Sequence, residues 1–314
     1  MRIVLFASPG ILGPFILATL IQLKEQIVWL VIPTSEYSAS PAELLSLAQQ
    51  AKIPVLNPQN LKNSDFLLSI KEASPDLLIV ATFDKKIPPE VISLARYEAI
   101  NIHSSYLPDY RGACPEFWAI RNGEKETGVS IHYISDEFDS GDIIFQEKVP
   151  IGDDDTVGIL LYRLAPVAAR LLMKVREEFG RGNVLRRIPQ NKKSMRHAPL
   201  VQTSDLQIKW NSSSQDIYNL IRAANPVGGA WTTFRGFQIK IWQATVVKEE
   251  ITSDILPPDQ KPGTLFIEGL KRKVFVRTGD GFMELKAVQL ALYYILDAWS
   301  FTEKALAKDG EVLV

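Results

Sequence analysis

Asn101 and His103 stand two residues apart in the run Ala99-Ile100-Asn101-Ile102-His103, with the apolar Ile100 and Ile102 between and before them. Such alternation is the pattern of a strand, on which residues two apart point to the same face. A neutral amide and an imidazole would therefore lie side by side. Such a pair can hydrogen-bond an oxyanion and manage a proton. Tyr106 to Gly112 follows, with Pro108, Asp109 and Gly112, the residues of a loop. The pair is thus expected at the exit end of a strand, where open α/β sheets bind ligands. On spacing alone, a strand-end amide beside a satisfied surface histidine is an equal reading.

A second polar stretch, Ser135-Asp136-Glu137-Phe138-Asp139-Ser140-Gly141-Asp142, packs carboxylates and a glycine between apolar segments. Together the two stretches resemble the folate-dependent formyltransferase family. Its signature is Asn-x-His-x-Ser-x-Leu-Pro, then Arg-Gly, then an acidic loop ending Asp-x-Gly. Here those positions are Asn101, His103, Ser105, Leu107, Pro108, Arg111 and Gly112, followed by Asp139, Ser140 and Gly141. The resemblance implies transfer of a formyl group from 10-formyltetrahydrofolate to a primary amine, with no metal required. It implies a catalytic trio of Asn101, His103 and Asp139. Asn101 and His103 would donate to the tetrahedral oxyanion. Asp139 would hold His103 in its useful protonation state and, directly or through water, take a proton from the amine. The loop holding Phe83, Asp84, Ile87 and Pro88 would meet the folate ring through backbone groups, with Glu137 and Phe138 closing the other side. Ser105, Tyr106, Arg111 and Trp118 would face the acceptor.

The chain must supply elements that position these residues. Its 314 residues suggest about two domains with ample apolar content for a core in each. Lys plus Arg total 35 against 36 for Asp plus Glu, so no general pull toward nucleic acid is implied. The single cysteine, Cys114, excludes an internal disulfide and fits a reducing compartment. With three histidines and one cysteine, a Cys/His zinc site is not credible. The apolar piece near the N-terminus is interrupted by Ser8, Pro9 and Gly10 and is too short to span a bilayer. A cytoplasmic protein with no membrane partner is expected.

Strands are expected at 1–7, 27–32, 53–56, 76–82, 99–103, 128–134 and 143–149. Helices between them are expected near 41–51, 64–73, 89–95, 114–122 with Trp118 buried, and 156–179. Alternating strands and helices imply an α/β domain, a Rossmann-like, mostly parallel sheet with helices on both faces. It is expected to occupy 1–182. Residues 183–206 read as a linker containing Arg186, Arg187, Lys192, Lys193 and Arg196, either a solvated connection or a phosphate-contacting strip. From 207 to 314 a helix at 214–224 and short strands at 238–247, 264–268, 273–277 and 282–288 suggest a small OB-like β-barrel. This half resembles the C-terminal domain of methionyl-transfer-RNA and aminoarabinose formyltransferases, through Ile208-Lys209-Trp210, Ile221-Arg222-Ala223, Pro226 and Gly229-Ala230.

The acceptor is read from departures. The stretch Thr34-Ser35-Glu36-Tyr37-Ser38-Ala39-Ser40 has no basic residue, where the transfer-RNA enzymes carry a basic loop. Ala291-Leu292-Tyr293-Tyr294 replaces their basic Gly-Lys-Lys. Without those cations a phosphate-rich acceptor loses affinity. The expected acceptor is a nucleotide-linked amino sugar or other small amine, with Tyr106 and Trp118 able to stack a base. Methionyl initiator transfer RNA is the runner-up, and a 10-formyltetrahydrofolate hydrolase is a third reading. A folate- or RNA-binding protein without catalysis is the least favoured. The barrel would hold the acceptor, mediate a homodimer, or do neither.

Overall fold

The computed structural model describes residues 1–34, 40–191, 195–247, 260–290 and 294–314. It divides into two compact units. The first comprises residues 1–115, 126–150 and 159–199, and the second residues 116–125, 151–158 and 200–314.

In the first unit, elements alternate along the chain. They are β1 (Arg2–Ala7), α1 (Leu12–Gln22), β2 (Gln26–Val31), α2 (Ala42–Gln50), β3 (Val55–Leu56), α3 (Ser64–Ala73), β4 (Leu77–Ala81), α4 (Pro89–Ile92) and β5 (Ala99–His103). After these come β6 (Arg111–Gly112), β7 (Glu126–Tyr133), β8 (Ile143–Pro150), α6 (Val157–Gly180) and β9 (His197–Ala198), while α5 (Pro115–Arg121), between β6 and β7, belongs to the second unit from Glu116 on. Seven strands form one sheet in the order β3-β2-β1-β4-β5-β7-β8. The run β3 to β5 is parallel, whereas β7 and β8 are antiparallel. β1 and β4 are apolar on both faces, with Val4, Phe6, Leu78 and Val80 all buried. Such runs are what a parallel sheet covered on both sides requires. Residue identity explains α3 locally: the Asn63 side chain accepts from the Asp65 and Phe66 N–H groups, which have no intrahelical partner.

The second unit holds α7 (Ser214–Ala223) and the strands β10 (Ala230–Phe234), β11 (Phe237–Val246), β12 (Leu265–Glu268), β13 (Lys273–Arg277), β14 (Phe282–Leu290) and β15 (Ile295–Asp297), then α8 (Ala298–Ala305). Its sheet is antiparallel, ordered β10-β11-β14-β13-β12, with β15 also on β14. Among the described residues no β10–β12 pairing closes it into a barrel. Trp210 donates to Thr232 Oγ1 at 3.0 Å in its core. The expected helix around Trp118 forms, but the ring it buries is that of Phe117, while Trp118 is half-buried.

What matters for the site is the join of β5 and β7. Asn101 pairs with His132 and His103 with Ser130. Because β7 runs opposite to β5, the connection after β7 leaves from the Ile100 end of β5 and not from the His103 end. A register shift opposite His132, where Ile131 pairs with Phe145 and His132 with Ile143, bends β8 at this point.

Candidate active site

β5 presents Asn101 and His103 on one face, as alternation predicts. The loop after His103 is pinned by Ser130, whose Oγ donates to the Ser105 carbonyl at 2.8 Å and accepts from the Leu107 N–H at 3.1 Å. It ends at Gly112, whose N–H donates to Asp139 Oδ2 at 2.9 Å. Asp139 arrives on the β7–β8 connection, from the other end of β5. The two connections therefore meet over the face of the strand.

Asp139 is the centre of the cluster. Its Oδ1 accepts from Asn101 Nδ2 at 3.0 Å and lies 3.6 Å from His103 Nδ1 and 3.5 Å from His132 Nε2. The side chains of His103, His132 and Asp139 are only 7%, 2% and 10% exposed. Burial alone would raise the Asp139 carboxyl, but the positive charge that the His103 and His132 rings carry when protonated, together with the Gly112 N–H, outweighs it and holds it well below the usual carboxylate range. Asp139 is thus a fixed anion at neutral pH.

The ring tautomers follow from the partners. His103 Nε2 is 2.9 Å from the Tyr110 carbonyl, and a carbonyl only accepts, so this nitrogen bears the hydrogen. Nδ1 is left facing Asp139. His132 Nδ1 likewise donates to the Tyr133 carbonyl at 2.8 Å, leaving Nε2 to accept from Asn101 Nδ2 at 3.1 Å. Both Asn101 amide hydrogens are therefore committed, one to His132 and one to Asp139. Donation to an oxyanion requires one of them to be exchanged.

Two glycines make the approach possible. A Cβ on Gly112, at φ +123°, would lie 2.3 Å from the Ala198 carbonyl oxygen. One on Gly141 would lie 1.9 Å from the Tyr133 carbonyl oxygen. Asp139 itself is left-handed, φ +53°, a conformation that aspartate tolerates better than most residues.

The other expected site residues are placed as follows. Phe83 and Ile87 belong to the core of the first unit, Phe83 edge-on to Phe6 at 5.3 Å. Pro88 is buried and Asp84 exposed. Ile87 is enclosed, so any ligand contact from it would have to come from its backbone, whereas Phe83 is half-buried. Glu137 and Phe138 are exposed, Phe138 by 61%. Ser105 is fully buried, with its Oγ donating to the Asp109 carbonyl. Arg111 is 6% exposed and donates from Nε and Nη2 to Gln190 Oε1 at 3.0 and 2.6 Å. Tyr106 is 36% exposed. Trp118 lies in the second unit, lining a cavity of about 160 Å³ with Arg121, Asp205, Lys209 and Asp216.

Gln190 joins the cluster without having been expected there, and His132, which the alternation of 128–134 leaves open between the acceptor side of the pocket and a core or edge position, joins it too. The periodicity of β7 puts His132 on a face, but only the β5–β7 register puts it opposite Asn101. Gln190 sits in the stretch read as a linker. The basic residues of that stretch are occupied: Arg187 donates to both Glu98 carboxylate oxygens, Arg186 to the Ile144 carbonyl and Arg196 to Tyr110 Oη. Lys192 and Lys193 lie outside the described residues, as do 35–39 and 291–293 from the acceptor argument. Among the described residues no group of three or more His, Cys, Asp or Glu is placed to hold a metal ion, and no helix is long and apolar enough to cross a membrane.

Comparison with known proteins decides the family. The family model described as Formyl transferase matches residues 21–175, and that described as Formyl transferase, C-terminal domain, matches residues 200–306. The chain belongs to the formyl transferase family. A methionyl-tRNA formyltransferase of Pelotomaculum thermopropionicum is 37% identical over 274 residues, covering 87% of this chain and 85% of that protein. Among solved structures, HypX from Aquifex aeolicus in complex with tetrahydrofolic acid superposes with a TM-score of 0.69 at 19% identity over 99% of this chain. The chain spans 48% of the length of HypX. An N-formyltransferase from Helicobacter canadensis, in complex with folinic acid and dTDP-3-aminofucose, gives a TM-score of 0.63 at 20% identity, covering 92% of this chain and 99% of that one. At these identities the structural likenesses speak for the shared formyltransferase fold.

Proposed function

We propose that this formyltransferase moves the formyl group of 10-formyltetrahydrofolate to the amine of methionyl-tRNA. The chemistry rests on one observation above all: an ionised Asp139 enclosed between Asn101 and the Nδ1 side of His103. The acceptor rests on sequence relatives at 32–37% identity, which are methionyl-tRNA formyltransferases. That outweighs the missing basic residues at 34–40 and 291–294, which had favoured an amino sugar.

The amine attacks the formyl carbon, a C–N bond forms and the carbonyl electron pair moves to oxygen. Asn101 turns an amide hydrogen from a present partner to that oxyanion, worth a few kcal/mol for a well-placed donor. His103 Nδ1, the ring nitrogen without a hydrogen, takes the proton released by the attacking nitrogen. Asp139, too acidic to be an efficient base at neutral pH, stabilises the imidazolium. On collapse the bond from the formyl carbon to N10 breaks and N10 takes that proton from His103. The products are the formylated amine and tetrahydrofolate.

A nucleotide-linked amino sugar is the second reading. The exposure of Tyr106 and Phe138 favours it, since aromatic faces can stack a base. The test is tetrahydrofolate release by the full chain with methionyl-tRNA in one arm and nucleotide-linked amino sugars in another. Turnover with the RNA alone supports the proposal. Turnover with a sugar alone replaces the acceptor, and formate release without any amine replaces transfer by hydrolysis.

A further inference from the structure

The stretch after α6 is fastened to the first unit at successive residues. Arg186 Nε donates to the Ile144 carbonyl and its guanidinium lies 5.0 Å over the Phe145 ring. Arg187 grips Glu98 and lies 3.7 Å over the Tyr133 ring. Ile188 exchanges two backbone hydrogen bonds with Ile143, at 2.9 and 3.0 Å. Further on, β9 pairs with β6 and the Tyr110 N–H donates to the Arg196 carbonyl. Between these anchors stands Gln190. Its Nε2 donates to the backbone carbonyls of Asp139, at 2.9 Å, and Gly141, at 2.6 Å. Its Oε1 takes both donors from Arg111.

One amide thus ties together three pieces of the site: the Arg111-Gly112 step, the left-handed Asp139 and the Gly141 turn. Gly112 is the neighbour of Arg111 and supplies the N–H for Asp139 Oδ2. Both backbone carbonyls that flank the 139–141 turn are satisfied by the same group. We propose that Gln190 is a positioning residue for formyl transfer, bracing the Asp139 turn against Arg111 so that the carboxylate reaches Asn101, His103 and the Gly112 N–H together. The buried Arg111 acts through it, as the second half of the brace, and not on the acceptor. Residues 186–190 and 196–198 are then part of the site's framework.

This inference rests on the proposed function for its kinetic readout but not for its structural one. In the full chain, Gln190→Glu keeps size and the acceptor for Arg111 but loses both donations to the turn, and Gln190→Leu loses everything. Each variant is compared with wild type by thermal melting, by steady-state turnover and by 13C NMR titration of the labelled Asp139 carboxyl. Gln190→Glu should melt near the wild-type temperature, whereas Gln190→Leu, which strands the buried Arg111, should melt lower. Both should lose roughly 10- to 100-fold in kcat, as a misplacement on the order of 1 Å at a reacting group costs. KM for 10-formyltetrahydrofolate should change less than kcat does, since Gln190 holds the backbone of Asp139 and Gly141 and not the loop from Phe83 to Pro88. The Asp139 carboxyl should titrate higher than in wild type, because a displaced turn takes it from His103 and the Gly112 N–H. An unchanged Asp139 titration in both variants overturns the brace, whatever the turnover. So does a kcat that falls only in proportion to the folded fraction. A raised titration in a chain that formylates no amine keeps the brace and removes the proposed function instead.

Discussion

The backbone N–H of Gly112 donates to Asp139 Oδ2 at 2.9 Å, although the two residues stand 27 positions apart and reach the site from opposite ends of β5. The Arg-Gly and Asp-x-Gly motifs are joined at that atom. Each glycine permits the join: Gly112 lets the backbone approach Ala198, and Gly141 lets it approach Tyr133.

Asp139→Asn keeps the shape of the side chain and removes its charge. Turnover should fall by about 10²- to 10⁴-fold, the range for loss of acid–base function. Donor binding should persist, because the change leaves the proposed folate-contacting backbone in place. Tetrahydrofolate release and donor-binding fluorescence measure the two separately. A variant with near-normal turnover would remove Asp139 from the chemistry.

The same substitution gives a pH test. Burial pushes the Asp139 carboxyl up, and the two imidazoles and the Gly112 N–H bring it well below its ordinary value in the fold. A carboxyl lowered on folding stabilises the protein fully above its unfolded value, about 3.9. That contribution drains away as pH falls through the lowered folded value. The Tm difference between wild type and Asp139→Asn should therefore hold steady from neutral pH to about pH 5 and narrow below about pH 4. Melting curves across that range decide it, and a gap that widens in acid has the wrong sign.

Gly112→Ala should cost about 1–3 kcal/mol, the usual range for forcing atoms into a filled space, because its Cβ meets the Ala198 carbonyl at 2.3 Å. Gly10→Ala is the control. Its φ of +127° is equally unsuited to alanine, yet nothing lies within 4 Å of the added carbon. Denaturant unfolding of both variants separates clash from backbone strain. Equal losses would mean that the Ala198 contact relaxes freely.

His132→Phe leaves an Asn101 amide hydrogen without its acceptor. An orphaned buried donor costs about 1–3 kcal/mol of stability, whereas kcat should fall less than for His103→Phe, because His132 lies outside the proposed proton path. Steady-state kinetics of the two variants test the order. Equal losses would put His132 on the proton path beside His103.

Much of this site can be read from the chain. Alternation of isoleucines sets Asn101 and His103 on one face, and the glycines mark where the two loops close. Helix α3 is expected over its observed span, since Asn63 caps it and its apolar positions repeat at helical spacing. What stays hidden depends on distant partners. His132 is 31 residues from Asn101, and Gln190 is 51 from Asp139. Alternation along β7 leaves His132 open to either a pocket or a core reading, and Gln190 has no local pattern that declares it. β10 escapes for a related reason: its buried Thr232 looks like a solvent position until Trp210 donates to it. The basic stretch around Arg186 and Arg187 reads as a linker because arginine usually seeks water, whereas here the cations lie on Phe145 and Tyr133.

The antiparallel graft of β7 onto β5 has a kinetic consequence. The parallel strands β1 to β5 all precede residue 104 in the chain, but the cluster needs β7, the turn at Asp139 and the anchored stretch after α6, from which Gln190 reaches back 79 residues to Arg111. These are late-arriving, long-range pairings, which pay their loop-closure entropy before any contact rewards it. A nascent or refolding chain would therefore hold a nearly finished sheet while still chemically silent. Its activity should return in a phase that trails the recovery of helical signal.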